Sequence, residues 1–167
     1  MTLKIRELSK AEVENLAKIM AEIIDGLQYY NEVAREHEIA KYSASGLTLK
    51  IEDDPQSVLI AEEDGEMVGF CLSRFDDMLL WIEWFGVIPG KRNKGTAKAL
   101  VKALELSAPS RNAHKIWCDC RTANTKSANL LTSCGYTPLC TVKNHWYGQD
   151  FILWQKEILI NSLHEVK

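Results

Sequence analysis

The sequence predicts a mixed α/β fold built around a central sheet, and three observations carry that prediction. The run from Leu79 to Val87 reads as a strand, because Leu79, Leu80, Trp81, Ile82, Trp84, Phe85 and Val87 are apolar, aromatic or β-branched. Such a near-continuous run suits a strand buried on both faces, although one carboxylate, Glu83, sits in its middle. From Ala97 the period turns helical, with Ala99, Leu100, Val101, Ala103, Leu104 and Leu106 apolar among Lys98, Lys102 and Glu105. On both sides of this unit, period-two segments and segments of helical spacing follow one another.

In chain order, Thr2 to Leu8 alternates as a first strand with Leu3 and Ile5 inward. Ser9 and Glu12 form a capping-box pattern, and Val13, Leu16, Ala17, Met20, Ile23 and Ile24 recur at helical spacing. A helix is therefore expected from Ala11 to Asp25, loosened or ended by Gly26. The segment from Leu27 to Ile51 reads as irregular and only partly helical. Val58–Ala61 and Met67–Leu72 are two strands joined by Glu62–Glu66, whose Asp64-Gly65 is a hairpin turn signal. A polar turn at Asp76-Asp77 leads into the 79–87 strand. Pro109 stops the following helix. Ile116, Cys118 and Cys120 alternate as a fifth strand, and Asn124 to Cys134 is a short helix closed by Gly135. Strands from Tyr136 to Val142 and from Trp146 to Lys156 complete the chain, joined through Lys143-Asn144-His145.

Composition bounds the function. A chain of 167 residues is long enough for one domain with a real core. Hydrophobic residues at 46% and charged residues at 26% are the balance of a soluble globular protein. The net charge of −3 argues against a nucleic-acid partner, which a basic stripe would serve. No run is long enough for a membrane span and the N-terminus lacks a signal-peptide apolar region, so no membrane partner and a cytoplasmic location are expected. The five cysteines fit buried, reduced thiols; Cys118 and Cys120 share one strand face. No second Cys/His pair completes a zinc pattern, so no metal is expected. Cys134, near a helix end, is the thiol to watch for reactivity.

Between the 79–87 strand and the helix lies Pro89-Gly90-Lys91-Arg92-Asn93-Lys94-Gly95-Thr96-Ala97. A basic, glycine-containing turn at a helix N-terminus is an anion site, because free N–H groups and the positive end of the helix dipole meet there. The Walker and Rossmann glycine spacings are both absent, which excludes an ordinary nucleotide-binding loop. Solvated lysines at a helix start are the alternative, but two small residues fall where backbone must approach a ligand.

Arg92-x-x-Gly95-x-Ala97 after Val87-x-Pro89 closely resembles the pyrophosphate-binding signature, Gln/Arg-x-x-Gly-x-Gly/Ala, of the GNAT superfamily of acetyl-CoA-dependent N-acetyltransferases. Asn124 with Ser127-Ala128 and Cys134-Gly135-Tyr136 resembles that family's Asn-x-x-Ala…Gly-Phe motif, and His145–Phe151 looks like its last hairpin. The resemblance covers the whole chain, best from Val58 to Trp154 and least from Gly26 to Pro55. It implies one domain over 1–167 with a GNAT-like α/β fold, a mostly antiparallel sheet of about seven strands flanked by four helices. It also implies that acetyl-CoA is the cosubstrate. Phe85, Val87, Arg92, Asn93, Lys94, Gly95, Thr96, Ala97 and Asn124 then bind it, Asn124 through the pantetheine arm.

Acetyl transfer to an amine makes three demands. The amine must be neutral, and an alkylamine with a pKa of about 10.4 is mostly protonated near pH 7. Glu83 matches the family's strand glutamate, which takes that proton through water; its other reading is a strand carboxylate paired with a basic neighbour. The resemblance places a backbone N–H near Val87 on the carbonyl oxygen, because a bulge splays the strand from its neighbour. Finally the thiolate must leave. Many members carry a tyrosine there as acid, four residues before the helix-closing glycine, but this chain has Leu131. Ser133, Cys134, Tyr136, Tyr147 and water are the candidates that remain.

The family builds its acceptor site from the loop after the first helix and from the last hairpin, which offer Tyr29, Tyr30, Trp146 and Tyr147 with Asp25, Glu32, Glu36 and Asp150. Carboxylates with aromatics suit a cationic, amphipathic amine, and a solvated acidic face over packed aromatics is the alternative. Two functions follow. One is an N-acetyltransferase acting on a primary amine of a small molecule or peptide. The other is a non-catalytic acyl-CoA-binding sensor or scaffold, which Leu131 favours and Glu83 opposes. A homodimer is compatible with either.

Overall fold

In the computed structural model, which describes residues 2–159, seven strands form one sheet flanked by helices on both faces. The order along the chain is β1 (Leu3–Glu7), α1 (Val13–Asp25), α2 (Glu32–Lys41), α3 (Ala44–Asp53), β2 (Val58–Glu63), β3 (Glu66–Asp76) and β4 (Leu79–Val87). The second half adds α4 (Thr96–Ser107), β5 (Lys115–Arg121), α5 (Thr125–Ser133), β6 (Thr137–Val142) and β7 (Phe151–Glu157). Across the sheet the strands run β1-β2-β3-β4-β5-β7-β6. Every neighbouring pair is antiparallel except β4 and β5.

Strand alternation divides the core between the two faces. Ile60, Phe70 and Leu72 pack with Leu16, Met20, Ile24, Leu47 and Ile51 of α1 and α3. Their neighbours Ala61 and Cys71 pack instead with Leu100, Val101 and Leu104 of α4 and Leu131 of α5. Cys118 and Cys120 are buried on that second face, as their spacing predicts, whereas Cys140 is exposed; all five thiols are free.

Turn chemistry holds where it was read. Asp64 and Gly65 both take positive φ, 54° and 84°, and join β2 to β3 as a tight hairpin. Four expectations are corrected. The segment from Leu27 to Ile51 contains two helices, which makes five among the described residues; side chains cap both of these, Asn31 accepting from the Ala34 N–H and Ser43 from the Gly46 N–H. α2 escapes periodicity because among its ten residues only Ala34 is buried. α1 starts at Val13, after a short 3₁₀ turn over Lys10–Glu12, because Glu12 accepts the Ser9 N–H and hydroxyl there. The last strand starts at Phe151, and Trp146–Gly148 is a 3₁₀ turn in which Tyr147 has φ 56°. Lastly, β4 buries only Leu80 and Ile82 fully, because its second half borders an open cavity.

Candidate functional site

Parallel pairing between β4 and β5 runs from Leu79↔Lys115 to Ile82↔Cys118 and stops. At the next residue the β3–β4 register slips, with Leu72 opposite Trp84 and Ser73 opposite Ile82, so Glu83 is the extra, bulged residue. The irregularity therefore lies at Glu83, four residues before Val87. Beyond it β4 and β5 diverge, and a cavity of about 840 Å³ fills the gap. The strand backbone supplies donors there. Ile88 gives its N–H to Val68 on β3, so alternation turns the N–H groups of Phe85 and Val87 the other way, into the gap.

At one end of the cavity stands the α4 N-terminus. Asn93 and Gly95 both adopt positive φ, 65° and 82°, and Gly95 is the N-cap. The first helical turn leaves the N–H groups of Thr96, Ala97 and Lys98 without helical partners. A Cβ on Gly95 would meet nothing within 4 Å, so the space ahead of these donors is open. The Arg92 Nε donates to the Val87 carbonyl at 3.0 Å, which ties the turn back to the strand. Phe85, Val87, Arg92, Asn93, Gly95, Thr96, Ala97 and Asn124 all line the cavity. Lys94 does not; its ammonium lies 3.8 Å from Glu63. Lys98 and Lys126 line this end as well and had no motif to mark them. Asn124 caps α5 by accepting the Ser127 N–H at 3.1 Å. These groups suit a pyrophosphate: several donors, positive charge and room where glycine stands.

At the other end three carboxylates and a ring of aromatics meet. Glu83 accepts from Lys50 at 2.5 Å, with Lys41 at 3.5 Å and Arg74 at 3.9 Å. Burial alone would raise its pKa, but the Lys50 charge and hydrogen bond, backed by Lys41 and Arg74, outweigh it and hold the carboxyl below its ordinary value. Across the gap, Asp119 of β5 accepts the Trp146 indole N–H at 2.8 Å, and burial pushes its pKa up against that bond and the charges of His145 and Arg121. Glu38 of α2 accepts from the Trp84 indole and from the Tyr147 hydroxyl, each at 2.9 Å. Tyr29, Tyr30, Trp146 and Tyr147 all line this end, whereas Asp25, Glu32, Glu36 and Asp150 do not. Asp150 instead accepts from Lys143 at 2.7 Å and from the Asn144 N–H, shaping the hairpin turn.

The expected acid candidates separate cleanly. Leu131 is fully buried in the core under α5, and Ser133, Cys134 and Tyr136 do not line the cavity. Tyr147 does, and burial, helped by its bond to Glu38, pushes its pKa up to about 12. Asp119, Glu38, Lys50 and Arg121 were missed, because each is a single polar residue in a segment whose other residues read as structure. For Asp119 and Arg121 a signal existed: both sit at the C-terminal end of a strand just before the Asn124 cap.

This geometry agrees with the known proteins the chain resembles. A model of the acetyltransferase (GNAT) family matches residues 20–136. An acetyltransferase of Pectobacterium atrosepticum is 36% identical over 67 residues, which is 40% of this chain and 48% of that protein. The chain thus spans about half the length of the curated relatives it matches. Among solved structures, the PaiA N-acetyltransferase of Thermoplasma acidophilum in complex with coenzyme A superposes with a TM-score of 0.80 at 19% identity, over 94% of this chain and 99% of that one. The ribosomal-protein-S18-alanine N-acetyltransferase of Escherichia coli gives 0.74 at 14% identity, over 99% and 100%. The structures establish a shared fold, and the family model reaches from α1 through the diverging strands to Tyr136, just beyond α5: this chain belongs to the GNAT acetyltransferase family.

Proposed function

We propose that the chain transfers an acetyl group from acetyl-CoA to a primary amine of a small molecule or peptide, by direct attack. The observation that carries this reading is the continuity of the cavity, from the open donors at Gly95 along the free Phe85 and Val87 N–H groups to the carboxylates. When bound, the coenzyme supplies an activated thioester. Arg92 and the N–H groups of Gly95–Lys98 hold its pyrophosphate, with Asn93 and Asn124 beside them. The Phe85 and Val87 N–H groups stand ready to stabilise charge on a carbonyl oxygen in the gap. Glu83 receives the amine proton through water; a positioned base of this kind is worth about 10² to 10⁴ in rate. Its cation cage keeps it ionised, ready to accept a proton at neutral pH, though it weakens it as a base. Tyr29, Tyr30, Trp146 and Tyr147 pack around the acceptor.

A dedicated acid is dispensable. A thiol with a cysteine-like pKa near 8.5 leaves as a bare thiolate at pH 7 at a cost of about 1.5 units, roughly 2 kcal/mol. That is small beside the ~8–23 kcal/mol that enzymes remove from a barrier. The second reading, a sensor that binds acyl-CoA without turnover, draws on the burial of Leu131 where many relatives carry that acid.

Thiol release from acetyl-CoA across an amine panel tests the two. Amine-dependent release supports transfer, and coenzyme binding without release on any amine assigns the sensor. Gly95→Val tests the coenzyme end: its side chain fills the open space at a φ of 82°, so coenzyme affinity should be lost in a protein that still folds. Unchanged affinity by calorimetry would move the pyrophosphate elsewhere.

A further inference from the structure

Arg121 is a buried cation that forms no ion pair among the described residues. The residue is 8% exposed and lines the main cavity. Its Nε donates to the neutral Gln149 Oε1 at 2.7 Å, and its Nη2 has no hydrogen-bond partner among the described residues. Its guanidinium carbon lies 3.5 Å from the centre of the Tyr30 ring and 4.9 Å from that of Phe151. No carboxylate among the described residues comes within 4.0 Å of it. Of the three carboxylates at this end of the cavity, Asp119 and Glu38 accept from Trp146, Trp84 and Tyr147, and Glu83 pairs with Lys50, Lys41 and Arg74.

A guanidinium cannot give up its proton to escape such a place. Proteins that bury a charge pair it or give it a ligand, because an unpaired one is costly. Stacking on two rings offsets only part of that cost. The guanidinium is also held in place. Gln149 donates its own amide N–H to the Tyr29 carbonyl at 2.8 Å, which aims its oxygen at Arg121, and the Arg121 carbonyl accepts from Asn124 at 2.8 Å. A fixed, desolvated fork of donors in a cavity is a carboxylate receptor.

We propose that Arg121 binds a carboxylate on the acceptor, so that the acceptor is a small molecule carrying both a primary amine and an acid group, with an apolar portion against Tyr29, Tyr30 and Trp146. This rests on the acetyl-transfer reading for the amine and extends it to the rest of the molecule. The amine faces the carboxylates Glu83 and Asp119 while the acid faces Arg121, so the two ends of a zwitterion meet opposite charges. Selectivity against the amine that lacks the acid follows, since Arg121 would be left unpaired.

The test uses matched pairs differing only in the carboxylate: phenylalanine and phenethylamine, lysine and cadaverine, 6-aminohexanoate and pentylamine. Each is assayed by thiol release and by calorimetry on the coenzyme-loaded protein, with wild type, Arg121→Met and Arg121→Lys. Methionine keeps an apolar stem between Tyr30 and Phe151, and Lys keeps the charge; thermal midpoints confirm that both fold. Comparing ratios cancels the different amine pKa values within a pair. The expected result is a preference for a carboxylate-bearing member that falls roughly 10- to 100-fold in Arg121→Met and is partly kept in Arg121→Lys. If the carboxylate member binds with that preference but is never acetylated, the Arg121 assignment stands and acetyl transfer fails. If only decarboxylated amines are acetylated, or the ratio is the same in Arg121→Met, transfer stands and the Arg121 assignment fails. A loss of coenzyme affinity in Arg121→Met with an unchanged ratio also overturns it, by giving Arg121 to the coenzyme phosphates. So does the absence of both binding and turnover for every pair.

Discussion

On the β4 wall of the cavity, Glu83 is surrounded by Lys50, Lys41 and Arg74, and three cations hold its pKa down although it is mostly buried. On the β5 wall, Asp119 is also mostly buried but has one indole N–H as its direct partner, and burial pushes its pKa up. The walls bring the same functional group to one space with its pKa displaced in opposite directions. Desolvation acts on both; what differs is how many positive charges reach each one. A carboxylate held below its ordinary pKa and one pushed above it are different tools in one site.

Activity gives the largest effect with which to tell the walls apart. With Glu83 as base, Glu83→Gln should lower kcat by about 10² to 10⁴ while acetyl-CoA affinity holds. The defect should shrink at high pH, where the amine supplies its own neutral fraction. A defect of equal size at every pH would make Glu83 a structural or positioning group.

Stability should move in opposite directions on the two walls. Glu83→Gln leaves Lys50 and its neighbours without their anion and should cost about 3 kcal/mol, roughly 6–12 °C in Tm for a chain of this size. The sign follows from linkage. Because folding depresses the Glu83 pKa, its contribution is present above the unfolded value near 4.3 and fades as pH falls through the lower folded value. Asp119 is the reverse: its raised pKa makes the ionised form costly, so stability is lost as pH rises from the unfolded value through the folded one. Asp119→Asn, which can still accept from Trp146, should therefore stabilise the protein at pH 7 by about 1 kcal/mol, roughly 2–4 °C in Tm. Scanning calorimetry from acid to neutral pH reads both, and equal slopes in the two variants would contradict the contrast.

Leu131→Tyr should cost about 1–3 kcal/mol by overpacking the core. Because Leu131 faces that core, the new hydroxyl should add no alkaline limb to the pH–rate profile. A gain in kcat with such a limb would mean that α5 turns toward the cavity.

Smallest in size but sharpest in diagnosis is Lys50→Met. Removing the main cation raises the Glu83 pKa, so the acid limb of kcat/KM should move upward if Glu83 takes the proton. An unmoved limb, already above the ordinary carboxylate range, would assign the proton to Asp119.

How much of this could be read beforehand depends on the reach of each interaction. Gly95 was legible because a small residue where backbone must approach a ligand is a local demand, while the left-handed backbone at Gly95 and Asn93 was not read. The Asp64-Gly65 hairpin was legible because a tight turn is a local demand too. α2 and α3 were not, since their burial follows from packing against α1, although the Asn31 and Ser43 caps were visible in the residues. Glu83 was found by its place in an apolar strand. Its bulge, and its bond to a lysine 33 residues earlier, were not.

By itself the sequence determined the strand, the basic turn and the helix that build the anion end, since dihedral preference, hydrophobic period and helix-end donors act over a few residues. Only the tertiary structure decided where β4 parts from β5, which carboxylate is caged and which is not, and that Arg121 forms no ion pair among the described residues. Those properties depend on charges and rings brought within a few ångströms from distant segments, and on the water that their packing removes.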